Sequence, residues 1–409
     1  MSITLGILYG SRTCEHDVSV ISAAQAAQAA RKAGFNAVKI YIARDGDWYI
    51  GSELENIAFH KDFQADKVTQ VLPAGEGGKM LLLRYPTEKR TLFGASKEVL
   101  ERIDVVMPVM HGMNGEDGTV AGMLDLMDVP YTSSGLVASS VGMDKIAMKQ
   151  FFRGCGFPVV EDLWVDRGDW RGDRDGCIER IEAKLRYPVF VKPANLGSSI
   201  GIGKAKDRDG LIHAMDVAAS FDRRILIERG IEQLKEINCG VLGYGSEAAA
   251  SALEMPVSVD DFLTYKEKYL QGQGSKGNGS AQGAKTAAGA QGSKGMASLA
   301  RRIPAPISEE KTREVQALAV NIFRALDCKG VVRIDFMLEG DEEKLYVGEI
   351  NTIPGSLAFY LFEHIGTSFP DLIEKMVEYA YRAYADRHES VFTYDSTILD
   401  QQSGGVKHK

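Results

Sequence analysis

Two apolar segments near the C-terminal end of the chain carry polar side chains at alternate positions. The segments are GVVRIDFML (330–338) and KLYVGEIN (344–351). Alternate residues of a strand share one face, so Arg333 and Asp335 lie together on the first strand and Glu349 and Asn351 lie together on the second. A solvated edge hairpin is the alternative. We favour a covered sheet over it, because the polar residues interrupt segments that are otherwise apolar on both faces.

Asp335, Glu349 and Asn351 form a set of oxygen ligands on this predicted strand pair. Two carboxylates and an amide suit Mg²⁺, which binds oxygen and keeps positions open for substrate phosphates. The pattern therefore predicts a magnesium site that also holds phosphate.

Two lysines add a phosphate-binding signal. Lys192 lies inside the apolar strand YPVFVKPA (187–194), where an unpaired ammonium is costly, so we expect an anionic partner. NLGSSIGIGKA (195–205) follows it, a small-residue hairpin whose backbone N–H groups could lie over phosphates. Lys145 lies near the start of a predicted helix, 143–156. Together the two lysines suit the α- and β-phosphates of a nucleotide.

The chain opens with a predicted β-α-β unit: strand 3–10, a helix from Val18 to Lys32 with Asp17 or Ser19 as N-cap, and strand 36–43. Ligands collect at the carboxyl ends of strands in such sheets, where the turn SRTCEHD lies. Glu15 in this turn either binds a substrate ammonium or caps the helix. His111, which follows the predicted strand 103–110, is either a site residue or a core histidine.

Composition narrows the class of protein. The net charge of −8 over 409 residues argues against nucleic acid as the main partner. Five cysteines without a C-x-x-C pair indicate a reducing, cytoplasmic location. The first residues do not form a signal peptide, and no apolar run reaches the length of about 18 residues that spans a membrane.

The element pattern predicts an α/β region followed by a mixed α+β region. We place an N-terminal α/β domain at 1–130, a central domain at 131–235, a C-terminal domain at 236–385 and a tail at 386–409. Within the C-terminal domain, GSAQGAKT (279–286) is not a nucleotide-binding P-loop, because Ala284 separates Gly283 from Lys285 and no apolar strand precedes it.

Seven stretches, taken together, resemble the D-alanine–D-alanine ligase family of the ATP-grasp superfamily and occur in that family's order. They are CEHDVSVIS (14–22), HGMNGEDGTVAG (111–122), YTSSGLVASSVGMDK (131–145), FVKPANLGSSIGI (190–202), YKEKY (265–269), RIDFML (333–338) and EINTIPG (349–355). The resemblance covers about residues 3 to 385. It implies an ATP-grasp fold of three domains with an open parallel sheet in the N-terminal one.

The resemblance also implies a reaction: ATP-dependent ligation of two D-amino acids through an acyl phosphate, giving D-alanyl-D-alanine for peptidoglycan. ATP, with two Mg²⁺ ions or Mn²⁺ as an alternative metal, is then the expected cofactor. Asp335, Glu349 and Asn351 would hold the metal ions. The residues expected to contact ATP are Lys145, Lys192, Ser199, Lys268, Glu228 and Ile231 at the adenine, and Glu236 at the ribose.

For the amino acid substrates, the resemblance assigns Glu15 to the first ammonium, with Ser198 and Tyr269 hydrogen-bonded beside it. Arg333 and the Gly355 N–H would stabilise the tetrahedral oxyanion. His111, Tyr360 and Leu361 are the further expected substrate contacts.

One departure concerns the second amino acid. After EINTIPG the chain reads SLAFYLFE, where typical members carry a Ser/Thr-rich stretch that contacts the second carboxylate. The acceptor is therefore D-alanine or another D-amino acid such as D-serine, while Tyr269 speaks against D-lactate. The alternative hypothesis from a different class of function is a non-catalytic nucleotide-binding module. The family expectation for assembly is a homodimer.

A glycine-rich run, Gln271 to Gly295, follows YKEKY, where the family places a loop that closes over ATP. From Gln271 to Arg302 the chain carries three lysines and two arginines and no acid. We therefore interpret 265–302 as a mobile lid that excludes water from an acyl phosphate, with a plain linker as the alternative.

Overall fold

The structure is a computed structural model that describes residues 2–86, 98–197, 200–257, 301–341, 343–393 and 396, together with the backbone of 90–91 and 94–95. The predicted lid lies outside the described residues up to position 300, and so do Ser198, Ser199, Lys268 and Tyr269.

The first sheet has seven strands in the order β8-β5-β4-β3-β2-β1-β9. Its strands are β1 (Thr4–Gly10), β2 (Asn36–Ile42), β3 (Trp48–Ile50), β4 (Thr69–Glu76), β5 (Lys79–Arg84), β8 (Val99–Ile103) and β9 (Val105–Pro108), with a separate two-stranded ribbon of β6 (Arg90–Thr91) and β7 (Gly94–Ala95). The parallel β-α-β unit is confirmed, because β2 and β9 both pair with β1 in parallel. The sheet is nevertheless mixed, since β3, β4, β5 and β8 extend it in antiparallel fashion.

Helix α1 (His16–Lys32) crosses from β1 to β2 and buries an alanine-rich face against the sheet. Its N-cap position is Glu15, so the prediction of Asp17 or Ser19 as N-cap was wrong. The helix therefore begins two residues earlier than its apolar pattern indicated, and Glu15 lies in the turn between β1 and α1.

The second sheet is antiparallel, in the order β10-β13-β11-β12. Its strands are β10 (Asp162–Asp166), β11 (Val189–Pro193), β12 (Gly203–Ala205) and β13 (Arg224–Arg229), and its helices are α5 (Arg167–Gly172), α6 (Arg174–Lys184) and α7 (Arg208–Phe221). The helices and strands share a core that includes Trp170, Ile178 and Met215. The other face of this sheet remains available to the cleft described below.

The third sheet is antiparallel, in the order β16-β15-β14-β17-β18. Its strands are β14 (Lys235–Tyr244), β15 (Ala249–Pro256), β16 (Arg301–Arg302), β17 (Lys329–Glu339) and β18 (Lys344–Asn351). One face is apolar, with Ile237, Ile334 and Phe336 fully buried. Helices α3 (Leu136–Met143), α4 (Lys145–Gly154) and α8 (Glu309–Ala325) contribute to that core. The opposite face carries the polar residues.

The remaining helices tie the C-terminal segment to the first sheet. They are α2 (Thr119–Leu126), α9 (Phe359–Glu363) and α10 (Phe369–His388). Residues of α9 and α10 share one core with α1 and β1. Arg387 Nη1 lies 2.7 Å from Asp125 Oδ1, and α10 ends at His388. The helix and its contacts therefore continue past Asp386, the predicted start of the tail.

The three sheets occupy successive parts of the chain, at 4–108, 162–229 and 235–351. This order parallels the predicted limits of 1–130, 131–235 and 236–385. Packing does not follow chain order throughout, because α3 and α4 belong to the core of the third sheet. The exact domain limits therefore stay a prediction.

Gly330 shows how closely β17 approaches the loop before α3. Its φ is +71°, and a Cβ atom there would lie 2.1 Å from the Thr132 carbonyl oxygen. Gly340 has a similar φ of +66° but no heavy atom within 4 Å of a Cβ. We expect Gly330→Ala to lower the free energy of unfolding by about 2 kcal/mol more than Gly340→Ala, because both lose the glycine backbone preference and only the first clashes. Urea unfolding of both variants measures this difference, and equal losses would contradict the close approach.

Candidate active site

The cleft lies over the polar face of the third sheet, where one row of side chains crosses four strands. Glu254, Asn238, Asp335 and Glu349 are in register on β15, β14, β17 and β18. Residues opposite each other on neighbouring strands point to the same face, so all four side chains project into the cleft that they line. Successive side chains of each strand thus point alternately into the apolar core and into the cleft.

Asp335 is held in place by its neighbours. Arg333 donates from Nε to Asp335 Oδ1 at 2.6 Å and from Nη2 to Oδ2 at 2.7 Å. Asn351 Nδ2 donates to Asp335 Oδ2 at 3.1 Å. A bulge at Gly348 sets Glu349 opposite Asp335. A Cβ atom on Gly348 would lie 2.8 Å from the Asp335 carbonyl oxygen, so the bulge requires glycine.

The predicted metal ligands Asp335, Glu349 and Asn351 therefore come together on adjacent strands. Their oxygens fit a hard divalent cation. This set contains only two carboxylates. Among the described residues, no group of three or more His, Cys, Asp or Glu side chains is placed to hold a metal ion. Two carboxylates and an amide leave several coordination positions of Mg²⁺ for phosphate oxygens and water, which suits a metal–nucleotide complex.

Lys145 lies across from this acid pair. It is the first residue of α4, whose N-cap is Asp144. Its Nζ lies 3.7 Å from Glu349 Oε2 and donates to the Leu196 carbonyl oxygen at 2.7 Å. The ammonium is thus placed between the predicted metal ligands and the loop that follows β11.

Lys192 has the anionic partner that its apolar strand predicted. Glu228, on the neighbouring strand β13, forms ion pairs with both Lys192 and Lys149. Burial alone would lower the pKa of Lys192, but the Glu228 carboxylate outweighs it and the pKa is raised. Burial alone would raise the pKa of Glu228, but the two ammonium groups outweigh it and lower the pKa to about 2. Glu228 and Lys192 are therefore both charged at neutral pH.

Glu15 occupies the N-cap position of α1. Its side chain makes no capping hydrogen bond, but the helix dipole favours a carboxylate at this position, so both alternatives for Glu15 stay open. The carboxylate packs against two glycine backbones. A Cβ atom on Gly112 or Gly197 would lie 2.5 or 2.7 Å from Glu15 Oε2. The carboxylate is buried and lines the cleft, where it can pair with an ammonium.

Glu116 forms a second acid beside Glu15. Its Oε2 accepts from the Gly112 N–H at 2.8 Å and its Oε1 from the Ile353 N–H at 3.2 Å. Burial, and then the nearby Glu15 carboxylate, raise the pKa of Glu116 well above its usual range. A cationic ligand between the two acids would relieve their repulsion.

His111 is both buried and part of the cleft lining, so neither of its two alternatives excludes the other. Its Nδ1 lies 2.8 Å from the Ile353 carbonyl oxygen, which can only accept, so Nδ1 carries the proton. Its Nε2 then accepts from Ser22 Oγ at 2.9 Å. Burial is the largest influence on the ring and lowers the pKa of His111 to about 4. The ring is neutral and joins α1 to the segment after β18.

That segment holds strained backbone next to Gly355. Ser356, Leu357 and Ala358 have φ values of 52°, 52° and 48°, in the left-handed region that side-chain-bearing residues avoid. The Ser356 N–H donates to Ser22 Oγ at 3.1 Å. Such strain persists where surrounding contacts fix it, and it concentrates at functional sites. Gly355 itself lines the cleft.

Tyr360 and Leu361 do not line the cleft formed by the described residues. Leu361 is fully buried in the core shared with α1, so its side chain is a packing residue. The Tyr360 hydroxyl donates to Glu254 Oε1 at 3.1 Å, and the Arg301 guanidinium stacks 4.0 Å from the centre of the Tyr360 ring. Arg301 Nη1 also donates to Glu254 Oε2 at 2.8 Å. The expected substrate contacts of Tyr360 and Leu361 stay predictions, because neither residue is part of the lining formed by the described residues.

The three residues expected to contact the nucleoside are also part of the cleft lining. Ile231 and Glu236 line the cleft together with Glu228. Ser198, Ser199, Lys268 and Tyr269 lie outside the described residues, so their expected roles stay predictions.

Similarity to known proteins decides the family. The family model described as D-ala D-ala ligase N-terminus matches residues 4–134, and the one described as D-ala D-ala ligase C-terminus matches 151–300 and 290–378. The chain belongs to the D-alanine–D-alanine ligase family.

Two members of this family are similar to the chain over nearly its full length. The D-alanine–D-alanine ligase of Bacillus cytotoxicus is 36% identical over 96% of this chain and 99% of its own. That of Thermosipho africanus is 34% identical over 97% of this chain and 98% of its own.

Solved structures confirm the predicted fold class. The VanG D-Ala:D-Ser ligase from Enterococcus faecalis aligns with a TM-score of 0.71 and 25% identity over 93% of this chain and all of its own. The D-alanine-D-alanine ligase from Coxiella burnetii aligns with a TM-score of 0.71 and 24% identity over 95% of this chain and 96% of its own, which bears on the fold alone.

Sequence reasoning missed several charged and polar side chains of the ligase cleft. They are Lys149, Asn238, Glu254 and Arg301. Lys149 carried a usable signal, because it follows Lys145 by four residues and so shares its helix face. Asn238 and Glu254 lie on strands whose polar face becomes evident only when they pair with β17.

Because the folded His111 ring is neutral, we expect the protein to lose stability in mild acid. Below pH 6.5 the unfolded imidazole takes up a proton, whereas the folded ring does not until about pH 4. The native state therefore loses stability as pH falls through this window, by about 1 kcal/mol at pH 5.5. His111→Gln keeps one donor and one acceptor but does not titrate here. Urea unfolding at pH 7.5 and 5.5 should show a smaller acid loss in the variant, and an unchanged loss would contradict the assignment.

Proposed function

We propose that this chain ligates D-alanine to a second D-amino acid with conversion of ATP to ADP and phosphate. D-alanine is the leading acceptor, and the product serves peptidoglycan synthesis. One observation carries the proposal: Asp335, Glu349, Asn351 and Lys192 line one cleft together with Glu15. The relatives named D-alanine–D-alanine ligase, at 36% and 34% identity over nearly full length, support it.

In the proposed reaction, the carboxylate of the first D-amino acid takes the γ-phosphoryl group of ATP and ADP leaves. The amino nitrogen of the second substrate, after losing a proton, attacks the carbonyl carbon, and the bond to phosphate breaks. Asp335, Glu349 and Asn351 would hold Mg²⁺, which neutralises phosphate charge when bound. Lys145 and Lys192 bind phosphate oxygens, and Glu228, Ile231 and Glu236 bind the nucleoside. These are positioning and charge-neutralising roles, on which phosphoryl transfer mostly depends.

At the amino acid end, Glu15 binds the ammonium of the first substrate. Its buried position beside Glu116 favours a cation, since two neighbouring carboxyl groups disfavour joint ionisation without one. Arg333 and the Gly355 N–H bind the oxyanion of the tetrahedral intermediate. Arg333 is almost fully buried, and its charge is held by Asp335, so it is a fixed donor.

The acceptor is the open part of the proposal. The VanG structure is titled a D-Ala:D-Ser ligase, so D-serine is a specific second candidate. In this chain Glu254 and Arg301 line the cleft next to Tyr360 and bind each other. This charged pair can accommodate a polar acceptor.

Phosphate release measured with ATP, Mg²⁺ and pairs of D-amino acids tests the function. We expect turnover with D-alanine alone, and a smaller kcat/KM for D-serine as acceptor, resolved by analysing the dipeptide products. A strong preference for D-serine would replace the leading acceptor, and no phosphate release with any D-amino acid would favour the non-catalytic nucleotide-binding module.

Loss of a metal ligand should abolish turnover. We expect Asp335→Asn and Glu349→Gln to lower kcat by about 100-fold or more, since the metal provides several kcal/mol of charge stabilisation. The Glu349 side chain is 37% exposed, so its variant should fold normally. Asp341→Asn, in the exposed turn after β17, is the matched control for loss of one charge and should retain activity. Unchanged turnover in both site variants would overturn the metal assignment.

We also propose a homodimer, the family expectation, formed through α2, α3 and the loop before α2. Apolar side chains are exposed there: Leu126 at 90% and Val137 at 70%. Burying such side chains against a second copy is favourable. Val137→Glu should shift the mass measured by light scattering to that of a monomer. Ile365→Glu, at a position that is 52% exposed in the turn between α9 and α10, should not. A dimer that survives Val137→Glu would exclude this interface.

The chain's location rests on its thiols. All five cysteines are free, and Cys14 and Cys155 are exposed, which supports a cytoplasmic location. In the part of the chain that the structure covers, no helix is long and apolar enough to cross a bilayer.

A further inference from the structure

Lys149 lies in the cleft without a role in the reaction described above. It follows Lys145 by one helical turn on α4, so both lysines extend from the same helix face. Its side chain is almost completely buried, and it lines the cleft. A buried ammonium requires compensating charge, and its surroundings show where that charge lies.

Two carboxylates face Lys149 from adjacent strands. Asp162 on β10 and Glu228 on β13 are directly opposite each other, a pairing in which like charges repel. Lys149 Nζ lies 4.0 Å from Asp162 Oδ2 and forms an ion pair with Glu228 Oε1. Asp162 has a closer cation, because Arg153 Nη2 lies 2.5 Å from its Oδ2. Lys149 is therefore mainly the counter-ion of Glu228.

Glu228 is shared between two lysines, one on each carboxylate oxygen. Oε1 pairs with Lys149 and Oε2 with Lys192. Phosphates that enter the cleft must compete with the Glu228 carboxylate for the Lys192 ammonium. If Lys192 were the only cation at Glu228, its movement would leave a buried carboxylate uncompensated, which costs several kcal/mol. With Lys149 in place, one ion pair remains.

We propose that Lys149 is a positioning residue: it keeps Glu228 neutralised, so that the Lys192 ammonium can move to the nucleotide phosphates. The inference rests on the proposed binding of ATP in this cleft. It assigns Glu228 two contacts, a permanent one to Lys149 and an exchangeable one to Lys192. A purely structural counter-ion is the alternative, because Lys149 also offsets the repulsion between Asp162 and Glu228.

Replacing Lys149 separates these two roles. In Lys149→Met, Glu228 has Lys192 as its nearest cation and holds it more tightly, so binding of the triphosphate weakens. Adenosine has no phosphate to compete for Lys192, and Glu228, the residue expected at the adenine, keeps Lys192 as its counter-ion in the variant. Adenosine should therefore be much less sensitive than ATP to this change. We expect the KM for ATP to rise about tenfold, the Ki of adenosine as a competitive inhibitor to change less than about twofold, and kcat to change less than about threefold. Lys149→Arg keeps the charge and should have constants close to those of the wild type.

The experiment uses the full chain, with phosphate release as the assay and D-alanine at saturation. A parallel rise of the ATP and adenosine constants, or no change in either, would overturn the positioning role. Lys149→Gln, which keeps a hydrogen-bond donor, provides the same comparison if the methionine variant does not fold. Failure of the proposed function itself is recognisable separately, since the wild-type protein would then release no phosphate.

Discussion

Compensation of buried charge within the cleft is the constraint on which the site depends. Asp335 is bound by Arg333, Glu228 by two lysines, and Glu254 by Arg301. Each pair is costly to desolvate and more costly to break, so the acids and cations fix each other's positions before any ligand enters. A charged ligand can then bind by exchanging partners with groups that are already close, which requires little rearrangement of the backbone.

The row across β15, β14, β17 and β18 explains why such pairs can exist in a well-packed protein. On one face of the sheet, residues such as Ile334 and Phe336 are fully buried in an apolar core. On the other face, Asp335 and Glu349 project from the same strands. The apolar face stabilises the sheet, and this stability supports a face that has little favourable packing of its own.

Contacts between distant parts of the chain determine the geometry of the amino acid end. The His111 ring, the Ser22 hydroxyl and the Glu116 carboxylate all bind backbone groups of Ile353 or Ser356. These bonds join the first sheet and α1 to the left-handed segment after β18. The strain in that segment is therefore supported by hydrogen bonds that come from more than 200 positions away in sequence, as the 237-residue separation of Glu116 and Ile353 shows. A small displacement of α1 would move the groups expected to surround the reacting carboxylate.

The sequence alone determined the strands β17 and β18, the lysine in β11 and the residues Asp335, Glu349 and Asn351, because these depend on local alternation and on apolar runs of fixed length. Only the tertiary structure decided that Lys149 and Lys192 share Glu228, that Glu254 joins the polar row, and that Tyr360 and Leu361 lie outside the cleft lining formed by the described residues. The physical reason is that these contacts join residues from different strands and helices. Strand register and helix packing determine which carboxylate pairs with which cation. Neither can be predicted from the local pattern of a single segment.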